Sequence, residues 1–155
     1  MAPDLQVRIA YRLKYSELVS PGSKRAIYTF DLLRAWEKLR RRLDFPIIIV
    51  RGGGYRTPAY NDRIGGSPRS RHLTGEAIDP GVSTFYENGL DPYSKGAFAV
   101  FLSSGFHGIG RFENRLHLDV RPDPTFWEYY IDENGRLRNR PDEQAAKWFD
   151  QLNQN

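Results

Sequence analysis

Apolar residues recur along the chain with two different periods. Across 24–43, Leu32, Ala35, Trp36, Leu39 and Leu43 fall at three- and four-residue spacings, the stripe of an amphipathic helix. Arg40-Arg41-Arg42 ends it, where cations suit the negative end of the helix dipole. Residues 45–50 place three isoleucines after Pro46 and predict a buried strand, broken by Gly52-Gly53-Gly54. Thr57-Pro58 predicts a short helix, with threonine as N-cap and proline at the first helical position. Gly65-Gly66 closes it, 67–76 reads as a polar loop, and 76–79 enters a strand. Ala97, Val100, Phe101 and Ser104 mark a further helix stopped by Gly105. Residues 116–121 alternate, with Leu116, Leu118 and Val120 on one face and His117, Asp119 and Arg121 on the other. A hairpin over 127–138 turns at Asn134-Gly135. A last amphipathic helix over 142–152 carries Trp148, Phe149 and Leu152. Helices and strands do not alternate regularly, which predicts an α+β fold with a small antiparallel sheet flanked by helices. The 155 residues suit one domain spanning 1–155.

Composition narrows the chemistry. Apolar residues are 39% and aromatics 14%, too many for a disordered chain. No run approaches the length of a membrane-spanning helix, and the first fifteen residues lack the apolar stretch of a secretion signal. Cysteine is absent. That excludes disulfides, thiolate zinc sites and a thiol nucleophile, so any metal must be held by His, Asp and Glu. The net charge of +4 is uneven. Residues 1–80 hold 15 Lys and Arg against 8 Asp and Glu, and residues 81–155 hold 8 against 11. Such a basic half suits an anionic polymer, whether nucleic acid or cell wall, or simply a solvated surface. No recognition helix or basic-aromatic stripe points to nucleic acid, and nothing points to membrane insertion.

Of the three histidines, two stand in acidic settings: Ser70-Arg71-His72-Leu73-Thr74-Gly75-Glu76-Ala77-Ile78-Asp79 and Leu116-His117-Leu118-Asp119-Val120-Arg121. A catalytic zinc site takes three protein ligands and keeps one position open. His72, Asp79 and His117 would supply two imidazoles and a carboxylate. The spacing of His72 and Asp79 does not fit one helix face but fits a loop followed by a strand. A strand facing solvent would read like 116–121, and a loop histidine can simply be exposed. Spacing alone leaves both readings open.

Gly54-Tyr55-Arg56-Thr57-Pro58, Tyr60-Asn61, Ile64-Gly65-Gly66, the His72 segment, Gly108-Ile109-Gly110 and the His117 segment occur in this order. Together they resemble the zinc D-alanyl-D-alanine carboxypeptidase family, which includes phage L-alanyl-D-glutamate endolysins and is related in fold to hedgehog domains. The His-x-Asp of the closing motif resembles one subgroup, and Ser16-Glu17-Leu18 resembles the family's opening element. The resemblance covers about 50–121.

The resemblance implies a Zn2+ peptidase cutting a bond beside a D-amino acid in peptidoglycan stem peptides. It implies His72, Asp79 and His117 as ligands, Arg56 facing the substrate carbonyl or carboxylate, and Ser70 lining the substrate site. Tyr55 is a further candidate to line the cleft. Many members carry the general base two or three residues before the third ligand, where this chain has Arg115 and Asn114. Asp119 is the substitute with the best placement, as a catalytic base or as a residue orienting His117, and Glu113 and His107 are weaker candidates. A non-catalytic wall-binding or virion module is the alternative. Carboxypeptidase and endopeptidase action both remain open. The expected protein is a monomer without a signal peptide, a phage lysin or virion-borne enzyme, or otherwise a cytoplasmic protein with holin-type release.

Overall fold

The computed structural model describes residues 4–154. A short hairpin, β1 (Arg8–Ala10) and β2 (Leu13–Lys14), precedes a 3-10 turn over Tyr15–Leu18. The principal helix α1 (Phe30–Leu43) follows, its N-terminus capped by the Thr29 hydroxyl, which accepts from the Leu32 N–H. The expected start near residue 24 is therefore too early. Residues ahead of Thr29 run beside the His72 loop instead, where the Thr29 N–H donates to Gly75 O at 3.0 Å. The far end closes as the arginine run predicts, with Asp44 left-handed and its N–H on Arg40 O.

The expected strand over 45–50 is not formed. Ile47 is buried and Ile48 is 56% exposed, and only one bridge, Ile49 to Pro80, is made. Val50 N–H to Asp79 O and Gly81 N–H to Ile48 O hold the segment as an extended arm along residues 79–81. Helix α2 (Pro58–Arg63) starts as the Thr57-Pro58 pair predicts. A 3-10 turn over Arg71–Thr74 interrupts the expected loop and leads into β3 (Ala77–Ile78). Helices α3 (Ser83–Glu87) and α4 (Lys95–Ser104) come next, α4 ending at left-handed Gly105.

Strands β4 (Gly108–Arg111), β5 (Leu116–Asp119), β6 (Thr125–Ile131) and β7 (Leu137–Pro141) complete a five-stranded sheet ordered β3-β5-β4-β6-β7. All its pairings are antiparallel except β4 with β6, so the α+β architecture holds with one parallel pairing. Helix α5 (Glu143–Leu152) is capped by Asp142.

The period-two alternation of β5 divides the sheet into two faces. Leu116 and Leu118 are fully buried and join Ile78, Ile109, Trp36, Leu39, Phe85, Phe101 and Phe106 in the core under the helices. Each large apolar side chain so buried contributes about 1.5–3 kcal/mol. The opposite face carries His117 and Asp119. Among the described residues, no helix is long and apolar enough to cross a membrane.

Candidate metal centre

Three elements deliver the polar face. His72 sits in the 3-10 turn, Asp79 directly follows β3, and His117 lies on β5. β3 pairs with β5 so that Ala77 lies opposite Asp119. Gly75 makes the turn between His72 and β3 possible. It is left-handed at φ +70°, and a side chain there would run into the Ile27 carbonyl.

Glycines also clear the floor. Gly108 lies opposite Asp119 and Gly110 opposite His117. A Cβ on Gly108 would collide with the Asp119 carboxylate, and one on Gly110 would approach the Trp127 ring to 2.6 Å. With both side chains missing, Asp119 and Trp127 fold over β4. Trp127 packs at 5.2 Å between ring centroids against His117.

The hydrogen bonds fix which ring nitrogen of each histidine is available. His72 Nδ1 lies 2.7 Å from Gly54 O, an acceptor only, so it carries the proton. Its Nε2 lone pair then faces Asp79 Oδ1 at 3.0 Å. His117 Nε2 lies 2.8 Å from Asp119 Oδ2, whose carboxylate is ionised by the Arg121 guanidinium. His117 Nε2 therefore donates, and its Nδ1 faces Asp79 Oδ1 at 3.0 Å. One nitrogen of each imidazole and a carboxylate oxygen therefore converge on one point. Their ligand atoms all lie within 4.8 Å of one another. Such a set is complete only with a cation, and two imidazoles with one carboxylate are donors that zinc accepts. Each histidine also donates its other N–H to a fixed acceptor, the arrangement that orients metal-bound imidazoles.

The electrostatics agree. Burial pushes Asp79 up, yet the neighbouring His72 and His117 rings hold it well below the usual carboxylate range. Burial lowers His72, outweighing the attraction of Asp79. Burial also disfavours charge on His117, but its hydrogen bonds to Asp119 and Asp79 win and push its pKa up to about 9. Without a metal, a proton takes the cation's place on that ring.

Arg56 donates through Nε to Gly52 O at 2.8 Å and through Nη2 to Asp79 Oδ2 at 2.9 Å. Its side chain is 13% exposed, and its Nη1 has no protein partner among the described residues. Burial lowers its pKa against the pull of Asp79. Ser70 is half-buried and caps the 3-10 turn, its hydroxyl accepting from the His72 N–H at 3.3 Å. Tyr55 is buried. It has almost no surface to offer a substrate, and its N–H ties the site to Leu18 O at 2.9 Å.

The three candidates for the base separate clearly. Asp119 is fully buried. Its oxygens accept from His117 Nε2, from Arg121 Nε and Nη2 at 2.8 and 2.7 Å, and from the Arg121 N–H at 3.1 Å. Burial would raise its pKa, but the bonds from Arg121 and His117 hold it well below the usual range. A carboxylate so saturated is a poor proton acceptor, and its bond to His117 Nε2 suits the second of its two expected roles, orienting that ring. His107 precedes β4 on the face opposite Gly108. Its Nδ1 lies 3.2 Å from Arg121 O, and its ring lines a surface pocket with Arg42, Val100 and Phe149, away from the metal cluster. Glu113 alone is exposed, in the turn between β4 and β5, with no partner for its carboxylate among the described residues.

Two contributors escaped the motifs. Arg115 extends the His117 face by one step, and its Nε lies 3.9 Å from Asp79 Oδ2. The Gly54 carbonyl, orienting His72, is a backbone group that no side-chain pattern reports. The alternation Arg115, His117, Asp119, Arg121 is the signal that reveals the first.

A family model described as Peptidase M15 matches residues 11–119 of the 155. No curated protein matches the chain. The matched span contains all three converging residues, and over that span the chain belongs to the peptidase M15 family of metallopeptidases.

Proposed function

We propose that the protein is a zinc-dependent peptidase that hydrolyses a peptide bond beside a D-amino acid in peptidoglycan stem peptides. The observation that carries the metal half of this reading is the convergence of His72 Nε2, Asp79 Oδ1 and His117 Nδ1, each imidazole's other nitrogen being held by a fixed acceptor. The peptidoglycan half rests on the sequence resemblance, including the His-x-Asp closing motif, and on the basic first half of the chain, which suits an anionic wall.

Zinc held there would polarise the scissile carbonyl and lower the pKa of a water ligand to about 7. The chain's own residues do the rest. Gly54 O and Asp119 hold the two imidazoles in the required tautomers. Asp119 keeps its negative charge through Arg121, which strengthens His117 as a donor. Arg56 has Nη1 available to stabilise negative charge developing on the carbonyl oxygen. Glu113, exposed and with no partner for its carboxylate among the described residues, would accept the proton of the attacking water and pass it to the leaving amine.

Digestion of sacculi followed by mass spectrometry of the muropeptides tests this reading. New free amines should appear with zinc-replete protein and disappear with chelator or with His117→Ala. Identical muropeptides in all three reactions would refute it.

A further inference from the structure

Three guanidinium groups surround the metal cluster, and they are not equivalent. Arg121 is committed to Asp119, with Nε and Nη2 both on that carboxylate. Arg56 is fixed by Gly52 O and Asp79. Arg115 donates no side-chain hydrogen bond among the described residues. It is one-third exposed, and its nearest carboxylate oxygen, Asp79 Oδ2, is 3.9 Å away and already holds Arg56 at 2.9 Å.

Arg115 is nevertheless held in place. Its guanidinium carbon lies 4.0 Å from the centroid of the Phe112 ring, and Phe112 stacks on Tyr129 at 3.7 Å and 16°. The Tyr93 hydroxyl bonds to Phe112 O and, at 3.0 Å, to Glu113 O, fixing the turn from below. Gly81 bridges Arg115 itself. The result is a planar five-donor group, stacked on an aromatic shelf and sharing one aspartate with Arg56. Cation–π stacking fixes the plane of the fork but leaves its N–H edges unsatisfied. Two guanidinium groups around a single ionised carboxylate leave one positive charge uncompensated beside the metal cluster.

We infer that Arg115, beside Arg56, forms a carboxylate-binding subsite that selects substrates bearing a free carboxylate close to the scissile bond. This rests on the peptidase reading above and deepens it. A planar fork matches a carboxylate in two parallel hydrogen bonds. A stem peptide offers that carboxylate from two sources: its C-terminus, or the α-carboxylate of a γ-linked D-glutamate. The first would make the protein a carboxypeptidase, the second an endopeptidase.

The test uses the zinc-loaded full chain and three synthetic tetrapeptides: L-Ala-γ-D-Glu-L-Lys-D-Ala, its C-terminal amide, and its D-glutamate α-amide. Calorimetric binding and kcat and KM are measured for the wild type, Arg115→Gln and Arg115→Lys, with zinc content checked in each. The expected result is that one of the two amides binds the wild type at least tenfold more weakly than the free acid, and identifies the source. Arg115→Gln should lose the same factor on the free acid, mainly in KM, and nothing on that amide. Arg115→Lys should retain part of the preference. Equal binding of all three peptides by the wild type, or an equal loss by Arg115→Gln on acid and amide, would overturn the subsite. Those results with sacculi still hydrolysed leave the peptidase reading standing. Zinc-loaded wild type that neither binds these peptides nor cleaves sacculi overturns both.

Discussion

Asp119→Asn separates the two roles that a buried carboxylate beside His117 can play. The side chain keeps its shape, but one oxygen becomes an amide NH2. Oδ1 accepts from the Arg121 N–H and Nε, and Oδ2 accepts from His117 Nε2 and Arg121 Nη2. Whichever oxygen is replaced, two donors then face a donor. Hydrogen bonds to charged groups are worth about 1.5–3 kcal/mol each. The Arg121 side chain is 22% exposed, so water recovers part of this, and a loss of about 2–3 kcal/mol in folding stability is expected. Loss of an orienting carboxylate typically costs about 10–100-fold in metal affinity, or about 1.4–2.7 kcal/mol. The assay is a competition titration of zinc against a chromophoric chelator, run beside denaturant unfolding of the metal-free protein. Zinc affinity should fall at least tenfold. Affinity within twofold of wild type, combined with a loss of kcat of a hundredfold or more, would show Asp119 acting as the base and refute the orienting role.

Three further outcomes are expected of the same site. Glu113→Gln should lower kcat by about 10²–10⁴-fold with zinc affinity unchanged, and unaltered kcat would remove Glu113 from the mechanism. Gly110→Ala puts a Cβ at 2.6 Å from the Trp127 ring and should cost about 1–3 kcal/mol. Calorimetry should show Tm falling by roughly 3–10 °C, and an unchanged Tm would mean the floor of the site is not tightly packed. His117, with its metal-free pKa near 9, is protonated at pH 7.5, so zinc binding should release about one proton. Titration calorimetry in buffers of different ionisation enthalpy measures this, and no buffer dependence would contradict the raised pKa. The same shift gives the metal-free fold a stabilisation present below about pH 6.5 and lost as pH rises through about 9.

How much of this was legible in the sequence depended on whether the signal was local. The Thr57-Pro58 helix start, the alternation of Leu116 to Asp119 and the Asn134-Gly135 turn appear as read, because each is set by neighbouring residues. The isoleucine run misled. Periodicity cannot tell a buried strand from an arm that alternates between Ile47 inside and Ile48 outside, and the ladder on which a strand depends is supplied by distant residues. The parallel β4–β6 pairing is likewise a property of chain path. At the site, the metal-facing residues stood out because zinc without cysteine restricts the donors to so few side chains. The role of Asp119 did not, because its face of β5 was readable while its four hydrogen bonds were not. Tyr55 sits in a motif beside Arg56 yet is buried, since adjacent residues in extended chain point in opposite directions. In the sequence Arg115 marks only the absence of a base, because the Phe112 and Tyr129 rings that stack beneath it come together only in the fold.

The central claim is that His72, Asp79 and His117 form a zinc site, and metal stoichiometry tests it most directly. Elemental analysis of purified wild-type protein after equilibration with micromolar zinc and removal of the excess should give one zinc per chain. His117→Ala, shown to be folded by circular dichroism, should retain less than about a tenth of that, since removing one of three ligands leaves only two. A wild-type protein that takes up no zinc, or a folded His117→Ala variant that still holds one per chain, would contradict the account.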